Sequence, residues 1–93
     1  MPAETIQRRL KITNEKGLHA RASAKLVEVV EGFDATAELT RDGQTAAGDS
    51  IMGLLMLAAS KGSTIELQAS GPDAAALADA VEALIENRFG EET

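Results

Sequence analysis

Three separated stretches of this chain alternate apolar and polar residues with a period of two, and that pattern constrains the fold more than any other feature. Ile6, Leu10 and Ile12 alternate with Gln7, Arg9, Lys11 and Thr13, with Arg8 interrupting the apolar row. Phe33, Ala35, Ala37 and Leu39 alternate with Asp34, Thr36, Glu38 and Thr40. Ile65, Leu67 and Ala69 alternate with Thr64, Glu66 and Gln68. Each stretch is a strand with one apolar side and one polar side. Such strands build an antiparallel sheet with one face in water and the other under a cover. Asp42-Gly43 is a strong hairpin signal and predicts a short further strand over about Gln44 to Ala47.

The cover comes from the segments between the strands. One helix is predicted from Ala20 to Glu31, with Leu26, Val27 and Val30 inward and Lys25, Glu28 and Glu31 outward. A second is predicted to start at Asp49-Ser50 and end near Lys61-Gly62. The third carries Pro72 in its first turn, Asp73 where it complements the helix dipole, and an apolar stripe of Ala74, Leu77, Ala78, Val81, Leu84 and Ile85. Gly90 suits the cap at its end, and residues 91–93 are expected to fray. The order is β-α-β-β-α-β-α, a two-layer α+β sandwich with the helices on one sheet face. A ferredoxin-like arrangement shares most of this order, so periodicity leaves the strand order open.

The chain of 93 residues is expected to be one domain with a modest core, better suited to a site at its surface than to a deep one. It has no cysteine, which is compatible with a reducing compartment. No apolar run approaches the ~20 residues of a membrane span, and no signal-peptide pattern opens the sequence. The expectation is a cytoplasmic protein without membrane insertion. A net charge of −6 argues against nucleic-acid binding. The charge is uneven: residues 1–25 hold six of the nine basic residues and two of the fifteen acidic ones. A local positive field of this kind guides an acidic partner or a phosphoryl donor.

His19, the chain's one histidine, lies in this basic part, within Lys16-Gly17-Leu18-His19-Ala20-Arg21. It opens the first helix, where free N–H groups and the positive end of the dipole hold an anion. A neutral imidazole is a competent nucleophile toward phosphorus. Backbone N–H groups of Ala20 and Arg21 and the Arg21 guanidinium can then hold the phosphoryl oxygens. The chemistry suggests a phosphohistidine. There is no metal-binding carboxylate cluster and no phosphate-binding P-loop, so neither metal nor cofactor is expected.

Gly17-Leu18-His19-Ala20-Arg21 resembles the active-site loop of the HPr family, the histidine-containing phosphocarriers of the phosphoenolpyruvate-dependent phosphotransferase system. Asp49-Ser50-Ile51-Met52-Gly53-Leu54-Leu55 is similar to that family's regulatory-serine segment, with Ser50 lying 31 residues beyond His19. Ala59-Ser60-Lys61-Gly62-Ser63, leading into the last strand, is a third resemblance. The resemblance implies an open-faced sandwich with strand order 1-4-2-3. It also implies a phosphoryl relay rather than a free-standing catalyst. Enzyme I, phosphorylated from phosphoenolpyruvate, would pass the group to Nδ1 of His19, which would pass it to an enzyme IIA-type protein. Such a relay serves sugar uptake or nitrogen-related regulation, and a carrier visiting several partners is best served as a monomer. Arg21 would take the active-site arginine position, and Ser50 the site used by the HPr kinase/phosphorylase.

Two departures stand out. The family usually has proline after the arginine, and here Ala22 and Ser23 follow. Asp49 precedes the serine where many relatives carry a basic or neutral residue. Apolar residues nearly surround the second helix, so a subset is expected to be exposed for docking, and the resemblance implies that Met52 and Leu55 lie near His19, with Ile51 beside them. The competing readings are a small ligand-binding regulatory domain of ferredoxin-like or ACT-like type, which would not need His19, and an interaction protein controlled through Ser50 alone.

Overall fold

The computed structural model describes residues 5–93. Its elements are β1 (Thr5–Lys11), α1 (Ala20–Glu31), β2 (Thr36–Arg41), β3 (Gln44–Ala47), α2 (Ile51–Met56), β4 (Thr64–Ser70) and α3 (Ala74–Glu86), followed by a short 3-10 turn over Arg88–Gly90. The four strands form one antiparallel sheet in the order β1-β4-β2-β3. β1 is an edge strand, which separates this fold from the ferredoxin-like arrangement, whose first strand lies inside the sheet.

Register follows the apolar rows. Leu10 pairs with Ile65, Leu67 faces Arg8 on one side and Leu39 on the other, and Leu39 pairs with Ala46. The buried row is completed by Ala37 and Ala69 and is covered by Leu26, Val30, Leu77, Val81 and Ile85 from α1 and α3. Arg8 interrupts the row because it lies toward α3, where its guanidinium meets Asp79 at 2.9 Å and Glu82 at 2.5 Å. The opposite sheet face carries Gln7, Arg9, Glu38, Glu66 and Gln68, all exposed. Asp42 and Gly43 both have positive φ, 49° and 82°, as the tight β2–β3 hairpin requires.

Three expectations about element ends need correction. α2 stops at Met56 instead of reaching Lys61-Gly62. Ala58 turns left-handed (φ 52°), and Ala59 is buried with its carbonyl accepting from the Leu18 N–H at 2.8 Å. A longer helix would take Ala59 away from that contact. Phe33 and Ala35 lie ahead of β2, although both pack against the core. Gly90 is not the cap of α3: left-handed residues begin at Arg88 (φ 53°) and Phe89 (φ 56°), turning the chain back while Phe89 fills the core. Beyond this turn the Glu91 side chain meets two partners described below.

Candidate phosphoryl site

His19 sits at the boundary between a turn and α1. The turn is built by Asn14, which is fully buried and whose side-chain amide donates to the Gly17 carbonyl at 2.8 Å. Gly17 has φ +64°, and a Cβ there would lie 2.5 Å from the Ala59 oxygen and 2.8 Å from Ser60 Cα. Only glycine lets the Ala59-Ser60 backbone pack this closely and in this conformation. Leu18, buried, then ties its N–H to Ala59. The Ala59–Ser63 resemblance therefore has a structural meaning: that segment is the wall against which the histidine turn rests.

His19 itself is the N-cap of α1, with extended backbone (φ −79°, ψ −177°). An N-cap side chain normally uses an oxygen to accept an N–H of the first turn. Here the imidazole does so: the Arg21 N–H donates to His19 Nδ1 at 3.2 Å. The other ring nitrogen, Nε2, meets the Glu91 carboxylate. A carboxylate accepts and does not donate when ionised, so Nε2 carries the proton. The two contacts together leave Nδ1 with a lone pair. The ring is 26% exposed, so it is held from below and reachable from solvent.

Glu91 has a second anchor, the Asn14 side-chain amide, which donates to its Oε1 at 3.1 Å. Both acceptors of the Asn14 NH₂ are oxygens, which fixes the orientation of that amide. The Glu91 carboxyl is held below the usual carboxylate range, foremost by the hydrogen bond from His19. The Asn14 amide and the charge of Lys16 act the same way, while burial opposes them. Behind Glu91, the Lys25 ammonium of α1 donates to the Phe89 carbonyl at 2.5 Å, fastening the segment after α3 to the helix that His19 caps.

Arg21 is exposed, and its guanidinium makes no hydrogen bond or ion pair with the described residues. Its N–H, anticipated as a phosphoryl donor, is occupied by Nδ1 in this unphosphorylated state. The first intrahelical bond runs from the Ser23 N–H to the His19 carbonyl at 2.8 Å, so the N–H groups of Ala20 and Ala22 lie ahead of the helix ladder. Ala22 is fully buried. Ser23 is buried too, and its hydroxyl reaches the Leu18 carbonyl at 3.4 Å.

Ser50 caps α2, its hydroxyl accepting from the Gly53 N–H at 3.0 Å. Along α2, Leu54 is buried, as is Leu57 just beyond it, whereas Met52 and Met56 are each 70% exposed and Ile51 40%. Leu55 is half-buried. Met56 was not among the residues anticipated for docking; a helix ending at Met56 puts it on the open side. Asn14, Ala59 and Glu91 were likewise not anticipated. Asn14 reads as an ordinary turn residue, and Glu91 lies 72 residues from His19, where no local pattern can link them.

Comparison with known proteins agrees with this architecture. A family model described as "PTS HPr component phosphorylation site" matches residues 6–87. The chain is 49% identical over 86 residues to the phosphocarrier protein HPr of Cupriavidus necator, covering 92% of this chain and 97% of the relative. It is 42% identical over 89 residues to the phosphocarrier protein NPr of Escherichia coli, covering 95% and 99%. Among solved structures, HPr-C-His from Thermoanaerobacter tengcongensis superposes with a TM-score of 0.90 at 34% identity, covering 95% of this chain and 99% of that one.

Proposed function

Because this chain belongs to the HPr family of phosphocarriers of the phosphotransferase system, we propose that it accepts a phosphoryl group on Nδ1 of His19 from enzyme I and passes it to an enzyme IIA-type protein. The observation that carries this reading is the hydrogen bond from the Arg21 N–H to His19 Nδ1. An N–H that donates to Nδ1 requires that nitrogen to be unprotonated, with its electron pair at the positive end of a helix. The lone pair attacks phosphorus, the donor's bond to phosphorus breaks, and its electron pair returns to the donor atom. The Arg21 N–H, released from Nδ1, is then beside the new phosphoryl oxygens, with the Ala20 N–H and the Arg21 guanidinium as further donors. These contacts are few and shallow. A carrier must surrender what it accepts, so weak holding is suited to its task.

The exposed apolar residues of α2, Ile51, Met52 and Met56 with the half-buried Leu55, are the proposed docking surface for both partners. Methionine adapts to different surfaces, which suits one patch serving successive partners as a monomer. Ser50 is the proposed site for an HPr kinase/phosphorylase. A phosphate there would accept the Gly53 N–H that the hydroxyl now accepts, while adding negative charge beside the docking residues. Docking would weaken without loss of the helix.

The test is incubation with enzyme I and radiolabelled phosphoenolpyruvate. The expected outcome is an acid-labile, alkali-stable label on the wild type, absent from His19→Ala and discharged by an enzyme IIA-type acceptor. A wild type that takes no label sinks the proposal.

A further inference from the structure

The segment after α3 supplies a carboxylate to the histidine, and nothing in the carrier chemistry described above uses it. From its placement we infer that Glu91 is a positioning residue of the phosphoryl site, holding the proton on Nε2 of His19 and facing the positive charge that the ring acquires when Nδ1 is phosphorylated. The inference rests on the carrier reading and adds a residue to it.

Three observations carry it. First, the contact is on the ring nitrogen opposite the nucleophile. Glu91 Oε2 meets Nε2 while the Arg21 N–H meets Nδ1, so the two bonds together select one tautomer. Second, the carboxylate is aimed. Its other oxygen is held by Asn14, a side chain with no exposed surface, whose amide also braces the turn that carries His19. One buried residue thus sets the position of both partners. Third, the chain is bent to deliver it. Arg88, Phe89 and Gly90 are all left-handed, Phe89 is locked in the core, and Lys25 grips the Phe89 carbonyl. Non-glycine residues adopt that conformation at a cost, and two in succession need a context that holds them there.

The charge bookkeeping gives the carboxylate its role. When Nδ1 bonds to phosphorus and Nε2 keeps its proton, the imidazole becomes a cation. No proton moves: the nitrogen–phosphorus bond forms as the donor's bond breaks. A carboxylate already in place opposite Nε2 stabilises that cation without reorganising, as a carboxylate partner does for other catalytic histidines. On the onward step the Nδ1–phosphorus bond breaks, its electrons return to Nδ1, and the ring is again neutral with its proton still on Nε2. Glu91 thus serves both legs of the relay through one hydrogen bond. Arg21 acts on the phosphoryl side and Glu91 on the opposite side, with Lys16 the cation that bears on Glu91 itself.

The experiment compares wild type, Glu91→Gln and Glu91→Ala after phosphorylation by enzyme I. Phosphorus NMR follows the pH at which the phosphorylated ring loses its Nε2 proton. Removing the opposing charge is expected to lower that midpoint by about one unit. Acceptance of the phosphoryl group from enzyme I is expected to slow about tenfold, the effect of losing one charge-assisted hydrogen bond to the cation as it forms. Circular dichroism of both variants checks that the fold is retained. A merely structural Glu91 would leave the midpoint where it is. If the wild type and both variants share one midpoint and one transfer rate, the inference is overturned and the carrier reading stands. If the wild type takes no label, both fall together.

Discussion

Gly17→Ala tests how the histidine turn is held. Two costs are separable there. The left-handed backbone, φ +64°, costs an L-residue about 1–2 kcal/mol. The new methyl also lies 2.5 Å from the Ala59 oxygen and 2.8 Å from Ser60 Cα. Both are backbone atoms of a segment that is itself tied to Leu18, so relief requires moving the wall. Overpacking of this kind costs about 1–3 kcal/mol more. Gly43→Ala is the matched control, because Gly43 is also left-handed (φ +82°) but a Cβ there meets nothing within 4 Å. The entropy that alanine removes from the unfolded chain is common to both and cancels in the comparison. Gly17→Ala is therefore expected to be less stable than Gly43→Ala by about 1–3 kcal/mol, from urea midpoints analysed with a common slope. In thermal melts the gap is about 5–20 °C for a domain of this size. Because the turn positions His19, phosphoryl transfer from enzyme I should fall in Gly17→Ala and remain in Gly43→Ala. Equal stability of the two variants would refute the claim that the Gly17–Ala59 contact requires glycine.

Other expectations follow from single contacts. Arg21→Ala should slow phosphoryl transfer while changing stability by no more than about 0.5 kcal/mol, since the exposed side chain supports no other residue; transfer at the wild-type rate would remove Arg21 from the site. Ser50→Ala loses the cap of α2 and should cost about 1 kcal/mol in urea unfolding, with His19 labelling retained. A cost near zero would show that α2 is held by Leu54 and Leu57 alone. Glu91 predicts a pH effect with a definite sign. Its carboxyl is depressed in the folded state, so its contribution to stability is present above the ordinary value of about 4.5 and is lost as pH falls through the lower folded value. The stability advantage of wild type over Glu91→Gln should therefore be full near neutral pH and vanish on acidification below about pH 4.5. A difference that does not change with pH would show that the carboxylate's charge is not what stabilises the contact.

The alternating segments were enough to define the sheet, because a period of two leaves one strand face apolar whatever lies elsewhere in the chain. The first helix and the Asp42-Gly43 hairpin were legible for the same local reason, down to the span Ala20–Glu31. His19 and Arg21 were legible as chemistry, since a helix start and a basic neighbourhood are written in adjacent residues. Residues 51–57 were legible as the largely apolar start of a helix. Which of them face the core was decided when Ala59 was drawn onto the Gly17 turn and the helix stopped at Met56.

Local residue patterns specify the inventory: a one-sided sheet, a helical cover, and one imidazole at a helix start. Tertiary structure decided the state of that imidazole. Which nitrogen holds the proton depends on what each one meets, and Nε2 meets a residue 72 positions away, aimed by an asparagine 77 positions from it. Periodicity reports how a residue sits within its own element. It carries no information on a contact made by the closing of the whole chain. Placing Glu91 opposite His19 took the burial of Phe89, the left-handed turn around it and the grip of Lys25, none of which exists before the core has formed.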